Sequence, residues 1–207
     1  GVTEELLRNK TVIDVGANRG IFSVLSASLG ASQVFSYEPV SETFNILKDN
    51  INKRGYDNIQ PIQKIVNNET GNFVRISLND ESGHNSIYTQ AFKNGNQRFE
   101  EIETISLHDA IKSLSGNIFL KLDCEGSEYD IILSMTEEDA RKIDVISLEI
   151  HEEMHPAYRG SEVISSKLKE LGYNQQFSHR TGWWTFNDKG EKTTFDPLPF
   201  KIEMWTK

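Results

Sequence analysis

The stretch VIDVGANRG, residues 12–20, constrains the fold more than any other part of the chain. An apolar run stops at Gly16, a second glycine follows at Gly20, and the apolar segment GIFSVLSASLG (20–30) comes next. This reads as strand, tight loop and helix. Glycine lets the backbone approach a ligand closely, and a helix N-terminus offers free N–H groups. Short apolar strands then alternate with amphipathic segments, the pattern of an α/β sheet covered by helices on both faces.

QVFSYEP (33–39) reads as the second strand, and VSETFNILKDNINKRG (40–55) as a helix with Ser41 as its cap. IQPIQKIV (59–66) is expected to be the third strand and NFVRISL (72–78) a hairpin extension. IETISLHDAIKSL (102–114) runs from strand into helix, and NIFLKLDCEG (117–126) is a central strand. SEYDIILSM (127–135) is a helix with Ser127 at its cap, DVISLEIH (144–151) a strand, and SEVISSKLKELG (161–172) a helix. The tail reads as partly antiparallel strands. Residues 79–100 are polar, with Gly83 and Gly95, and are expected to form a loop or lid within a single domain spanning 1–207.

The chain has 207 residues and a formal charge of -9, which argues against broad binding to nucleic acid or to an anionic membrane. No apolar run approaches the roughly 18 residues of a membrane helix. The single cysteine, Cys124, leaves no internal disulfide and no thiolate cluster, and points to a reducing, cytoplasmic setting. The chain opens on Gly1 rather than Met, so residues preceding it in a longer protein are compatible with it.

A dinucleotide loop needs a third glycine five residues after the first. Here the second falls at plus four, and Ile21 occupies plus five. Asn18 fills the middle position, where its tolerance of left-handed backbone replaces glycine. Asp14 would repel a pyrophosphate but suits a ligand bearing an amino group. Glu38 ends the second strand, where an acid takes both hydroxyls of a ribose. Together these residues fit S-adenosylmethionine better than a dinucleotide. The expected cofactor set is Asp14, Gly16, Ala17, Asn18, Gly20, Glu38, Pro39, Asn67 and Asp123. No Gly-Lys-Ser/Thr follows the loop, so a P-loop is excluded.

Asp123 ends another parallel strand and so belongs beside Gly16 and Glu38. Glu149 and His151 are two apart on their strand and share a face. Asp123, Glu149 and His151 then converge on one crevice, where His151 is expected to act as general base on a hydroxyl and Glu149 or Asp123 to orient it. The same set suits a divalent cation, to which no ligand is assigned. Glu125 is a candidate for substrate contact. Glu128 reads as an ordinary first-turn helix charge.

VIDVGANRG, SYEP, LKLDCEGSE and LEIH together resemble the FkbM-type methyltransferases, from about Lys10 to His151. The resemblance implies a seven-stranded, mostly parallel Rossmann-like sheet with an antiparallel C-terminal hairpin. It also implies S-adenosylmethionine as methyl donor and O-methylation of a small-molecule hydroxyl, on a sugar or natural product. Cys124 and Ser127 depart from the family's DVEGAE-like segment, leaving Asp123, Glu125, Gly126 and Glu128 in place. ESGHNSIY (81–88) resembles a family loop that closes near the cofactor. Ser86 is therefore a cofactor candidate, and His84 and Asn85 are substrate candidates. Trp184 is a further candidate, for stacking on carbohydrate. DCEG replaces the Asn/Asp-Pro-Pro-aromatic turn that goes with methylation of base amines. The rival readings are a nicotinamide-dependent oxidoreductase, a methyltransferase of RNA or protein, and a binding module without activity.

Overall fold

The computed structural model describes residues 2–78, 98–152, 154–158, 160–186 and 192–207, with backbone alone over 180–186 and 192–200. The candidates His84, Asn85 and Ser86, the side chain of Trp184 and nearly all of the expected lid lie outside the described residues. In chain order the elements are α1 (Glu4–Leu7), β1 (Thr11–Val15), α2 (Ile21–Ser28), β2 (Gln33–Tyr37), α3 (Ser41–Arg54), β3 (Ile59–Ile62), β4 (Ile65–Asn67) and β5 (Phe73–Leu78). There follow β6 (Arg98–Ser106), α4 (Leu107–Ile111), β7 (Ile118–Leu122), α5 (Glu128–Ser134), α6 (Glu137–Lys142), β8 (Ile143–His151), α7 (Glu162–Glu170), β9 (Asn174–Phe186) and β10 (Lys192–Thr206).

Seven strands form one sheet in the order β3-β2-β1-β7-β8-β10-β9. The first five are parallel, and β10 runs antiparallel to both β8 and β9. The chain grows outward from β1 to β3 and then returns to the other flank of β1 with β7. In such a sheet a crevice opens at the strands' carboxyl ends where the order reverses, here between β1 and β7.

Successive strand residues point to opposite faces, so a strand covered on both sides must be apolar throughout. Ile13, Leu120, Leu122, Ile146 and Leu148 pack on one face with Tyr129, Ile131 and Ile132 of α5 and Ile164 and Leu168 of α7. Val12, Val34, Phe119 and Val145 pack on the other with Leu7, Ala27, Leu47 and Ile51 from α1, α2 and α3.

Three local expectations change. The run 59–66 is two strands: β3 edges the large sheet, while β4 joins β6 and β5 in a separate three-stranded sheet. Apolar content cannot reveal a turn at Gln63 and Lys64, where the Lys64 N–H bonds back to the Ile62 carbonyl at 3.2 Å. Ser41 is the first residue of α3 and not its cap. Its N–H donates instead to Glu100 Oε2 at 2.9 Å, an acid brought by β6. Helix α6 was not expected from the sequence. Its signal is the Thr136–Asp139 capping box, in which each residue's side chain bonds the other's backbone N–H, at 2.9 and 3.2 Å.

Phe119 has no exposed surface and lies 5.9 Å, centroid to centroid, from Phe22 of α2. Phe119→Ala should lower the unfolding free energy by about 3–5 kcal/mol, read from urea denaturation. A loss within ±0.5 kcal/mol, ordinary for surface substitutions, would contradict the central place of this ring.

Candidate active site

The loop between β1 and α2 lies directly against the tip of β7. Gly16 has φ +74, and a Cβ there would fall 1.8 Å from the Asp123 carbonyl oxygen. No other residue type fits, because the obstruction is backbone. Asn18 also sits in the left-handed region, at φ 50, as expected for the middle of the loop. The loop's donors are directed inward. Gly16 and Ala17 both donate to the Tyr37 carbonyl at 3.0 Å, and Gly20 donates to Ala17 at 2.8 Å. Asn18 donates to Glu38 Oε2 at 3.0 Å. These four N–H groups are therefore already satisfied, and a carboxylate stands over the loop where a pyrophosphate would need positive charge.

Glu38 is 7% exposed, and its other oxygen accepts the Val40 N–H at 3.0 Å. Each oxygen keeps a second lone pair for a ligand hydroxyl. Burial pushes its pKa up to about 7, against the opposing pull of the two N–H groups and of Lys121. A cleft opens beside it, lined by Gly16 and Asn18 of the loop, by Pro39, Val40, Ile65, Val66 and Ile76 as an apolar slot, by Lys64, and by Asp123, Cys124 and Glu125. Asn67 is not among its lining residues. Asn67 Oδ1 accepts the N–H of Asn68 at 2.8 Å.

Asp14 departs from its expected role. It has no exposed surface, so it cannot touch a ligand amine as the side chains stand. Ser23 Oγ donates to it at 2.6 Å, Ser36 Oγ supports Ser23 at 2.8 Å, and Lys121 Nζ lies 3.2 Å away. Lys121, which sequence reasoning passed over, also donates to the Gly16 carbonyl at 2.9 Å and stands 3.4 Å from Asp123 Oδ2. Burial opposes its charge, but Asp14 and Asp123 outweigh that and hold the ammonium above the ordinary lysine range. Asp14 and Lys121 are register partners on β1 and β7. The available signal was one lone charge, of opposite sign, in each of two strands that are apolar but for Thr11. A second cleft, lined by Lys121, Ala17, Arg19, Ile21, Phe22 and Leu25, meets the first at Gly16, Asn18 and Asp123.

The tips of β7 and β8 do bring Asp123, Glu149 and His151 together, but the charge arrangement differs from expectation. Glu128 is fully buried and is not a solvated helix charge. Its Oε1 accepts the Cys124 N–H at 2.7 Å and contacts His151 Nδ1 at 3.0 Å, while Oε2 accepts the Gly126 N–H at 2.8 Å. Ser127 has helical backbone and its side chain caps nothing. The other imidazole nitrogen, Nε2, stands 3.6 Å from Glu125 Oε2 and 4.0 Å from Glu149 Oε1. Burial disfavours charge on His151, but Glu128, Glu125 and Asp123 outweigh it and push the imidazole up to about 9. The raised value favours the imidazolium at neutral pH, which weighs against the general-base role expected for His151. Burial works against ionisation of Glu128 too, yet His151 and the backbone donors hold its pKa below the ordinary glutamate value.

Asp123, Glu149 and His151 present donor atoms within 4.8 Å of one another. A metal would need the imidazole neutral, in competition with the proton that Glu128 and Glu125 favour on it. No cation is assigned to this group.

The pair His151–Glu128 makes stability depend on pH. His151 is raised, so its contribution is full below its unfolded value of about 6.5 and is lost as pH climbs to about 9. Glu128 is lowered, so its contribution is present above the ordinary carboxylate range and is lost in acid. Urea titrations should show stability falling between pH 6.5 and 9. Glu128→Gln should lower stability by about 3–5 kcal/mol near neutrality and flatten that fall. An unchanged pH dependence in Glu128→Gln would dissolve the pair as an energetic unit.

The chain matches the methyltransferase FkbM domain over residues 14–174. Ribosomal protein L11 methyltransferase of Streptococcus equi subsp. zooepidemicus is 45% identical over 49 residues, 23% of this chain and 16% of that protein. The chain thus matches about a sixth of the length of that curated relative. Among solved structures, precorrin-6y C5,15-methyltransferase of Geobacter metallireducens superposes with a TM-score of 0.53 at 13% identity, covering 99% of this chain and 86% of that one. TrmK of M. capricolum, solved with S-adenosylhomocysteine, gives 0.52 at 12% identity, covering 99% and 65%. The sheet is thus that of the class I methyltransferases, and because the matched domain takes in the glycine loop, Glu38 and the β7 and β8 tips, the chain belongs to the FkbM methyltransferase family.

Proposed function

We propose that this protein transfers a methyl group from S-adenosylmethionine to a hydroxyl of a small molecule, with a sugar or natural product as the acceptor class. The observation that carries the reading is the glycine loop itself. Its N–H groups at Gly16, Ala17, Asn18 and Gly20 are consumed within the protein, and Glu38 stands over it as an acceptor. Such a loop favours a ligand with a hydroxyl-bearing sugar and positive charge, and disfavours a phosphate. This weighs against the nicotinamide reading.

In this proposal Glu38 accepts from the ribose hydroxyls, and Val40, Ile65 and Val66 form the slot for the adenine. When bound, the cofactor supplies an electrophilic methyl carbon. The protein's part is to align the acceptor oxygen with that carbon and to keep water out, and positioning of this kind supplies roughly 7–11 kcal/mol. Relatives named for a precorrin and for a ribosomal protein show that likeness of sheet does not select an acceptor. The net charge of -9 weighs against a polyanion such as RNA.

Calorimetry with S-adenosylhomocysteine tests the cofactor assignment. The unaltered protein should bind it, and Glu38→Gln should weaken binding at least about tenfold, in keeping with loss of hydrogen bonds to a charged group. Ribose hydroxyls favour the ionised carboxylate, so affinity should rise as pH passes upward through about 7, and Glu38→Gln should flatten that rise. Binding of NADH in place of S-adenosylhomocysteine would overturn the reading. Tritiated methyl transfer to a panel of glycosides, set against total RNA and a ribosomal-protein extract, tests the acceptor class. Label entering only RNA or protein would overturn the hydroxyl small-molecule assignment.

A further inference from the structure

A hydroxyl acceptor must lose a proton, and four groups at the β7 and β8 tips compete to receive it. His151 has both ring nitrogens facing carboxylates and lines neither cleft. Glu149 also lines neither. Asp123 lines both clefts but is paired with Lys121 at 3.4 Å. Glu125 lines the cleft beside Glu38 with its side chain 17% exposed. Its backbone is also unusual. Glu125 sits at φ 52, a left-handed conformation that non-glycine residues rarely adopt outside tightly determined sites. Here the determination comes from Glu128, which grips the N–H groups of Cys124 and Gly126 on either side. The strained turn holds the Glu125 carboxylate over His151 and against the cleft wall.

We propose that Glu125 is the catalytic proton acceptor of this site, and that His151 and Glu128 are positioning residues that orient it. The inference rests on the methyl-transfer reading above. As the acceptor oxygen forms its bond to the methyl carbon, the carbon–sulfur bond breaks with its electron pair left on sulfur. The hydroxyl proton passes to a Glu125 carboxylate oxygen and leaves from there to solvent.

The electrostatics agree with the geometry. Burial pushes Glu125 up to about 7, with His151 pulling it down and Asp123, Glu128 and Glu149 pushing it up. Catalysis by a general base is most efficient when its pKa lies near the working pH. His151 is the cation that keeps Glu125 from rising further, and Glu128 is what keeps His151 a cation.

Infrared titration of the ligand-free protein should show a carboxyl band with a midpoint near pH 7 that is absent in Glu125→Gln. A second band near that pH belongs to Glu38 and is assigned with Glu38→Gln. Nitrogen NMR should find His151 doubly protonated through pH 8. In Glu128→Gln the His151 midpoint should fall and the Glu125 midpoint should rise, a coupled shift that a merely structural role for Glu128 would not produce. Calorimetry should find S-adenosylhomocysteine affinity in Glu125→Gln within threefold of the unaltered protein. Turnover of any glycoside acceptor should drop about 10²–10⁴-fold. A His151 midpoint between pH 6 and 7, a carboxyl titration near pH 7 that Glu125→Gln leaves unchanged, or turnover abolished by a chelator and restored by Mg²⁺ would each overturn the proposal. Failure of the unaltered protein to bind S-adenosylhomocysteine would instead sink the methyl-transfer reading, leaving the titration to be judged by itself.

Discussion

One ion pair between adjacent strands organises this molecule's site. Asp14 of β1 and Lys121 of β7 sit side by side in register, and the ammonium reaches on to the Gly16 carbonyl and to Asp123. Leaving either charge alone in this apolar setting would cost about 3–5 kcal/mol, so the two strands cannot slip or separate cheaply. Through Lys121 the pair ties β1 and the glycine loop to the β7 tip. Gly16 lies against the Asp123 carbonyl, and the two clefts meet at these residues and Asn18.

From that junction the charge of the site follows. Glu38, Asp14, Asp123, Glu125, Glu128 and Glu149 gather at the strand tips, and Lys121 and His151 are the cations that face them. Lys64 and Arg19, which line the two clefts, add positive charge. Burial raises Glu38 and Glu125, whereas Glu128 is held below the ordinary glutamate value. Glu128 alone holds a buried imidazolium and backbone N–H groups on both oxygens. Similar carboxylates thus take different states because their immediate partners differ.

The small sheet β4-β6-β5 is more than an appendage. Ile65 and Val66 of β4 and Ile76 of β5 line the cleft, and Glu100 of β6 satisfies the Ser41 N–H at the start of α3. The cleft is therefore built between two sheets. Ile65, Val66 and Ile76 of the apolar slot come from one, while Pro39 and Val40 follow β2 of the other, which also positions most of the polar and charged groups.

The sequence by itself determined the alternation of strands and helices, the glycine loop and the acids at strand ends, because these are local. Apolar runs must be buried, Gly16 must avoid a Cβ clash, and an acid after a strand falls at its tip. FkbM membership was equally legible in VIDVGANRG and LKLDCEGSE. What only the tertiary structure decided is which charges are partners. Asp14 meets Lys121 across more than a hundred residues of sequence, and Glu128 meets His151 from a different element. Asp14 therefore became an internal strut, Glu128 a buried anchor, and His151 a held cation. A charge's role depends on its nearest counter-charge and its depth below solvent, and neither is written in its own stretch of chain.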